Sequence, residues 1–194
     1  MRPSLLLLLL AAAFSMGCNS SGAEQQAAPP PISEPENDDL TLRLSTELVN
    51  QPGNLAEEEQ NKIIGYAIDH NLDVQKAPEG YWYMIRKPGE GDLLQWGDRI
   101  RAHYQGRFLD DATFDDSYRR KEPLEFYIGN MIEAWNEALQ KLKPGGKMLL
   151  LVPSSLAYGE KGLPMKGDQF LVPPDTPLLF EIEVLALLQK APEN

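Results

Sequence analysis

The sequence predicts an α+β fold, in which one short helix packs on one face of an antiparallel β-sheet. From residue 80 onward, apolar residues recur with a period of two, which is typical of half-buried strands. One segment with a helical period, residues 132–142, interrupts these strands. Because each predicted strand has one polar face, we expect an antiparallel sheet that the helix covers on one side and water on the other.

The alternation is clearest over residues 99–108, where apolar side chains and basic or polar ones take opposite faces. In the last strand, Glu181 and Glu183 fall on the polar face. We expect these acids to lie opposite the basic face of 99–108, where opposite charges stabilise a sheet. The other strands are predicted at 81–86, 124–128 and 148–152, and the last one runs through 180–184.

The predicted helix has a start signal and a stop signal. Asn130 and Glu133 have the spacing of a capping box, in which each side chain bonds a backbone N–H of the first turn. The Pro-Gly-Gly sequence at 144–146 follows the last turn and ends the helix. We therefore expect the helix to begin at Asn130, with Trp135 in its apolar stripe.

The beginning of the chain is predicted to be a targeting signal. Arg2 precedes an apolar run, residues 5–14, that is too short to cross a bilayer but suits the core of a signal peptide. Residues 1–17 resemble a bacterial lipoprotein signal, because a small residue stands directly before Cys18, the position that becomes the lipid-modified N-terminus. Ser15 departs from the aliphatic residue of most such signals, and an ordinary secretory signal with Cys18 incidental is the alternative. A lipidated Cys18 would hold the protein in the cell envelope, at the outer membrane or on the periplasmic side of the membrane.

A linker and a helical extension follow the signal. Residues 18–39 hold Ser, Gly, Gln, Pro and acids, and bury too little surface to offset the entropy of ordering, so we expect a disordered linker. Residues 40–78 are predicted to be a helical N-terminal extension, although 40–49 fits helix or strand equally. Its helix at 55–72 begins after Asn54, which is a favourable N-cap. The apolar stripe of this helix packs either on the following domain or on a second copy of the chain.

Composition excludes several kinds of partner and site. The net charge of −11, with no stripe of basic residues, argues against nucleic acid as a partner. With a single cysteine, the chain has no internal disulfide. His70 and His103 lack ligand spacing, so no metal site is predicted. The oligomeric state stays open.

Six short motifs follow one another over residues 80–189. They are AHYQG at 102–106, FDDS at 114–117, PLEF at 123–126 with Gly129, IEAW at 132–135, LAYG at 156–159, and VPP at 172–174 with LLFEIEVL at 178–185. Together they resemble the motifs of the FKBP-type peptidyl-prolyl cis-trans isomerases, which implies a domain of that type at 80–189. The resemblance implies an FKBP-like sheet wrapped around one short helix and action on proline-containing polypeptides, with no metal and no cofactor.

The resemblance also implies a site. It places Trp135 beneath the proline ring, the hydroxyl of Tyr158 and the backbone N–H of Ile132 on the substrate backbone, and Asp115, paired with Arg120, beside the distorted amide. The residues expected to carry catalysis are Phe114, Asp115, Trp135 and Tyr158. Those expected to contact substrate are Tyr104, Arg120, Leu124, Met131, Ile132, Leu163, Leu171, Val172 and Phe180.

The pattern alone favours a plainer interpretation of these residues. Aromatic residues at alternating strand positions, such as Tyr104 and Phe180, are more often core than ligand wall. The aspartates at 110–116 fit a solvated acidic hairpin. Leu124 stands where many family members have an aromatic residue, and Leu163 where a histidine is common, so the mouth of the pocket departs from the family pattern.

Three functions therefore remain at this stage. The first is an isomerase that assists the folding of envelope or secreted proteins. The second is a non-catalytic FKBP-like chaperone or binding module of the cell envelope. The third is an envelope lipoprotein with no ligand.

Overall fold

The computed structural model describes residues 35–167 and 169–192, so the predicted signal 1–17 and Cys18 lie outside the described residues. Within these ranges the chain forms a seven-stranded sheet, a two-stranded sheet and four α-helices. The elements are α1 (Pro35–Ser45), α2 (Leu55–Asp69), β1 (Gln75–Lys76), β2 (Trp82–Lys87), β3 (Arg99–Phe108), β4 (Thr113–Asp116), α3 (Ser117–Arg120), β5 (Leu124–Tyr127), α4 (Glu133–Ala138), β6 (Lys147–Val152), β7 (Leu163–Pro164), β8 (Phe170–Val172) and β9 (Leu178–Gln189).

The large sheet is antiparallel throughout, in the order β1-β2-β6-β9-β3-β4. Strand β3 pairs with β9 along its whole length on one side. On its other side it pairs with β5 over its first half and with β4 near its end. The strand predicted at 99–108 forms with the same bounds, and the predicted α+β class is confirmed.

The main core lies on the α4 side of the sheet. Trp135 of α4 and Leu139, in the 3-10 turn that continues it, are buried together with Ile100, Leu150 and Phe180 from three strands. All five side chains are at most 2 % exposed. The apolar stripe of α4 and the apolar faces of the strands therefore pack against each other, as the sequence predicted.

The opposite face of the sheet is not open to water along its whole length, which corrects the prediction. Trp82, Leu149, Leu151 and Leu179 form a second buried cluster with apolar side chains of α1 and α2. Strand β6 explains the difference, because it is apolar at every position from Met148 on and is buried on both faces. A strand of that kind needs cover on both sides.

Helix α2 supplies most of that cover. Its stripe residues Ile63, Ile64 and Ala67 are fully buried in the second cluster. The stripe therefore packs on the domain of its own chain, the first of the two interpretations, and is not left for a second copy.

Helix α2 begins at the predicted residue and ends three residues before the predicted limit at 72. Asn54 caps α2, since its side chain accepts a hydrogen bond from Glu57 N at 3.1 Å. The ambiguous segment 40–49 is helical as far as Ser45. Because α1 begins at Pro35, the last residues of the predicted linker 18–39 are helical.

The start of α4 differs from the prediction. Its N-cap is Ile132, with no hydrogen bond from a capping side chain, so the predicted capping box at Asn130 is wrong. The side chain of Asn136 holds the preceding loop instead, accepting from Gly129 N and Met131 N and donating to Met131 O. One buried amide thereby satisfies three backbone groups of this loop.

The polar face of the sheet carries the expected pairs of opposite charge. Glu181 bonds Arg107 of the neighbouring β3 at 2.5 Å. Glu183 instead pairs with Lys147 of β6 at 3.0 Å. The remaining basic residues of β3, Arg99 and Arg101, share Glu125 of β5.

Replacing Gly65 with alanine is expected to stabilise the protein. Gly65 lies inside α2, and a Cβ built there meets no atom within 4 Å. Alanine restricts the unfolded chain without a clash, so the free energy of unfolding should rise by about 0.5–1 kcal/mol. Urea unfolding at equilibrium measures the change, and equal or lower stability of Gly65→Ala would contradict it.

Candidate active site

A small cavity opens between α4, the end of β3 and the loop that follows β6. Its volume is about 50 Å³, well below the roughly 300–1,000 Å³ of sites for drug-sized molecules. Such a cavity suits a single ring. Its lining residues are Tyr104, Phe114, Asp115, Met131, Ile132, Trp135, Tyr158 and Phe180.

Trp135 forms the base of this cavity. It is 2 % exposed, and two lining rings stand on it nearly at right angles, Tyr104 at 5.1 Å and Phe180 at 5.3 Å between ring centroids. Phe114 in turn stands edge-on to Phe180 at 5.8 Å. Edge-to-face contacts of this kind are favourable and fix the rings in place. The wall of the cavity is therefore largely aromatic, and its rings pack edge to face against one another.

Gly106 makes room for one of these rings. A Cβ at this position would lie 2.6 Å from Cζ of Phe114, closer than side-chain atoms approach. Phe114 therefore packs directly on the backbone of β3, and any larger residue at 106 would displace it. The predicted site set omitted Gly106, although the AHYQG motif contains it. Gly106 lies opposite β4 in the sheet, and the sequence alone does not show this pairing.

A polar corner occupies one side of the cavity. The carboxylate of Asp115 accepts hydrogen bonds from the Tyr104 hydroxyl and from the Arg120 guanidinium, and from the backbone N–H of Asp116 at 2.8 Å. Arg120 also donates to the Tyr104 hydroxyl at 3.1 Å. The predicted pair of Asp115 and Arg120 is therefore present, and Tyr104 completes it as a third member.

Local structure places this corner. Asp116 caps the short helix α3 by accepting from the backbone N–H groups of Tyr118 and Arg119, which brings Arg120 back toward Asp115. The hydroxyl of Ser117, which is buried, accepts from Tyr104 N at 2.8 Å and donates to Tyr104 O at 3.0 Å. Ser117 thus ties the helix to the strand that carries the Tyr104 ring.

Two donors at the cavity have no partner among the residues that the structure describes. The hydroxyl of Tyr158 makes no hydrogen bond within residues 35–167 and 169–192, and the backbone N–H of Ile132, just before α4, makes none there either. Burial raises the pKa of Tyr158, so its hydroxyl keeps its proton. Both groups are available to bond carbonyl oxygens of a ligand.

Five of the predicted substrate residues do not line this cavity, although one of them, Arg120, bonds the lining residue Asp115. Leu124 lies with Arg120 at a separate surface hollow. Val172 is 1 % exposed and belongs to the main core, and it pairs with Leu163 between β7 and β8. Leu163 and Leu171 are half-buried. Their contact with substrate stays a prediction.

The described residues contain neither a candidate metal centre nor a membrane span. Within 35–167 and 169–192, no three His, Cys, Asp or Glu side chains converge to hold an ion. In the same ranges, no helix has the length and apolar character needed to cross a bilayer.

The fold and the cavity together define a domain in which a small aromatic cavity lies between an antiparallel sheet and a helix. Residues 91–185 match the sequence model of the FKBP-type peptidyl-prolyl cis-trans isomerases. A probable FKBP-type peptidyl-prolyl cis-trans isomerase of Haemophilus influenzae is 34% identical over 119 residues, 61% of this chain and 47% of that protein. The chain belongs to the FKBP-type peptidyl-prolyl cis-trans isomerase family.

Solved structures agree with this assignment. A peptidyl-prolyl cis-trans isomerase from Pseudomonas syringae superposes with a TM-score of 0.58 and 32% identity, covering 73% of this chain and 99% of that one. FkpA from Escherichia coli gives a TM-score of 0.60 and 29% identity, with 78% of this chain and 65% of that chain covered. The chain spans about half the length of the curated relatives it matches.

Proposed function

We propose that this protein is a peptidyl-prolyl cis-trans isomerase whose aromatic cavity binds the proline ring of a polypeptide substrate. The observation that carries the proposal is the convergence of eight predicted site residues on one cavity, with Trp135 at its base. A proline ring is apolar and of the size that this cavity admits.

The reaction is rotation about an X-Pro amide, with a barrier of about 18–20 kcal/mol. No covalent bond breaks, so the protein accelerates rotation by binding the twisted amide more tightly than the planar one. In the twisted form the amide loses resonance, and its carbonyl becomes less polar. A dry aromatic wall favours that form, and each gain of about 1.4 kcal/mol is worth tenfold in rate.

The polar groups around the cavity orient the substrate in this proposal. The Ile132 N–H and the Tyr158 hydroxyl donate to substrate carbonyls on either side of the ring. The carboxylate of Asp115, held by Tyr104 and Arg120, stabilises the distorted amide electrostatically. Asp115 does not act as a base, because no proton is transferred.

A protease-coupled assay on a short X-Pro peptide tests this proposal with the full chain. Wild-type protein should accelerate the slow cis-to-trans phase in proportion to its concentration. A rate at background refutes the isomerase, and measured affinity for the same peptide at that background rate would indicate the non-catalytic binding module instead.

Any loss of activity that comes from ionisation of Tyr158 should be centred at a pH above the ordinary pKa of tyrosine. A neutral hydroxyl at Tyr158 is required as donor, and burial raises its pKa above the usual value of about 10. Since a raised pKa keeps the proton on to higher pH, the alkaline decline of kcat/KM due to Tyr158 should have its midpoint above about pH 10. Tyr158→Phe should lower kcat/KM equally at every pH well below that midpoint, and a wild-type decline centred below the usual tyrosine pKa would contradict the role.

We propose that the protein acts in the cell envelope, held there by lipidated Cys18, with envelope or secreted proteins as substrates. The support is in the sequence: an apolar signal core, the chain's single cysteine directly after a small residue, and a polar segment behind it. Radiolabelled palmitate should enter the wild-type protein in bacteria and not Cys18→Ala. Equal labelling of both, or of neither, would refute the anchor.

A further inference from the structure

A second and larger cavity lies beside the aromatic one, between α2 and the sheet. Its volume is about 730 Å³, and we call it the α2 groove. Helix α2 forms one wall around Gly65, the turn after β3 forms another with Phe108 and Leu109, and Pro173 and Pro177 stand on the third. These side chains give the groove a largely apolar wall.

Gly65 is the point at which the groove can be filled by substitution. A glycine inside a helix destabilises it, and no neighbouring backbone requires one here, since a Cβ would meet nothing within 4 Å. The space that its side chain would enter is the groove itself. An alanine methyl group therefore fits without a clash, whereas a large side chain at this position would occupy the groove.

The α2 groove adjoins the aromatic cavity through one pair of rings. Phe108 lines the groove, and its ring lies 5.2 Å from that of Phe114, which lines the cavity. The linings of the groove and of the cavity therefore touch at this pair of rings.

The groove is preformed and acidic. Tyr66 of α2 donates to Asp111 of the β3–β4 turn at 2.6 Å and stacks on His70, which also contacts Asp111, so both walls are tied together. Asp69 and Asp110 are among the groove's lining residues, against Lys62 as the basic one. This balance favours an apolar segment that carries basic residues.

We infer that the α2 groove is a second substrate subsite, which binds an apolar, positively charged segment flanking the proline of an unfolded polypeptide. The inference deepens the proposed function and rests on it. The groove adds affinity for long chains, while a peptide of four residues uses the cavity alone.

Two substitutions at one position separate the groove from the cavity. Gly65→Trp fills the groove, and Gly65→Ala is the matched control that leaves it open. The probe is a fluorescent proline-free peptide of alternating leucine and lysine, read by anisotropy with the full chain. Wild type and Gly65→Ala should bind it alike, Gly65→Trp about tenfold more weakly, and all three should isomerise a four-residue X-Pro peptide equally.

A second variant keeps the inference testable where Gly65→Trp does not fold. Asp69 ends α2 and is exposed, and lysine is favourable at a helix C-terminus, so Asp69→Lys should fold. It should weaken binding of the leucine-lysine peptide and strengthen that of a leucine-glutamate peptide. No binding by wild type, or affinities unchanged in the folded variants, would overturn the subsite. Because binding is read without proline, absence of isomerase activity would refute the proposed function separately.

Discussion

Trp135→Ala is expected to lower the free energy of unfolding by about 3–5 kcal/mol and to abolish isomerase activity. Trp135 is 2 % exposed, and three rings contact it: Tyr104, Phe126 and Phe180. Its removal leaves a void that a close-packed core does not refill. The same void removes the base of the aromatic cavity, so stability and activity should fall together.

Trp135→Phe separates the two effects, because it keeps an aromatic base and loses less volume. It should cost less stability than alanine and retain part of the activity. Urea unfolding gives the stability of each variant, and kcat/KM is measured at a temperature where circular dichroism shows both variants folded. An alanine variant as stable as wild type would contradict the core position of Trp135, and undiminished kcat/KM would contradict its place beneath the substrate.

Asp115→Asn is expected to lower kcat/KM about 10- to 100-fold with a smaller effect on stability. The Tyr104 hydroxyl and the Arg120 guanidinium hold its carboxylate in place at the cavity. Loss of about 1.4–2.8 kcal/mol of electrostatic stabilisation of the twisted amide corresponds to that factor in rate. Asparagine keeps the shape of the side chain. It lacks the negative charge that pairs with Arg120 and that, in the proposed function, faces the twisted amide.

The matched control is Asp92→Asn, which removes one negative charge from an exposed pair with Lys190. It should leave kcat/KM unchanged, because exposed ion pairs contribute little. If Asp115→Asn and Asp92→Asn gave the same kcat/KM as wild type, the electrostatic role of Asp115 would be wrong.

The alternation of apolar and polar residues predicts which strand positions are buried. For that reason it located the strands. Strand β3 forms at the predicted residues because its apolar and polar positions strictly alternate. Alternation does not reveal which element covers a face. The second cluster around Leu149 and Leu151 was missed for this reason, although the unbroken apolar run of β6 already indicated cover on both sides.

The site illustrates the same limit. Tyr104, Trp135 and Phe180 are buried, as the pattern alone predicted, and they also line the cavity, which only the family resemblance implied. A side chain can be buried and also form part of the cavity wall, because the cavity is small and lies directly on the core. Periodicity gives no sign of a gap of this size.

Contacts between residues from different structural elements could not be predicted from the sequence. The Asn130 cap was predicted from local spacing, but the side chain of Asn136, six residues further on and inside α4, bonds that loop instead. The α2 groove needs three segments from different parts of the chain, and no single motif marks it. Its one local sign was the glycine inside α2.

The central claim is that the aromatic cavity accelerates X-Pro rotation through non-covalent binding. Exchange spectroscopy by NMR, on a short X-Pro peptide with a small amount of the full chain, measures rotation directly and without a protease. We expect cis–trans exchange cross-peaks with wild type and their strong reduction with Asp115→Asn. Exchange that stays on the uncatalysed scale of roughly tens of seconds with the wild-type protein would contradict the claim.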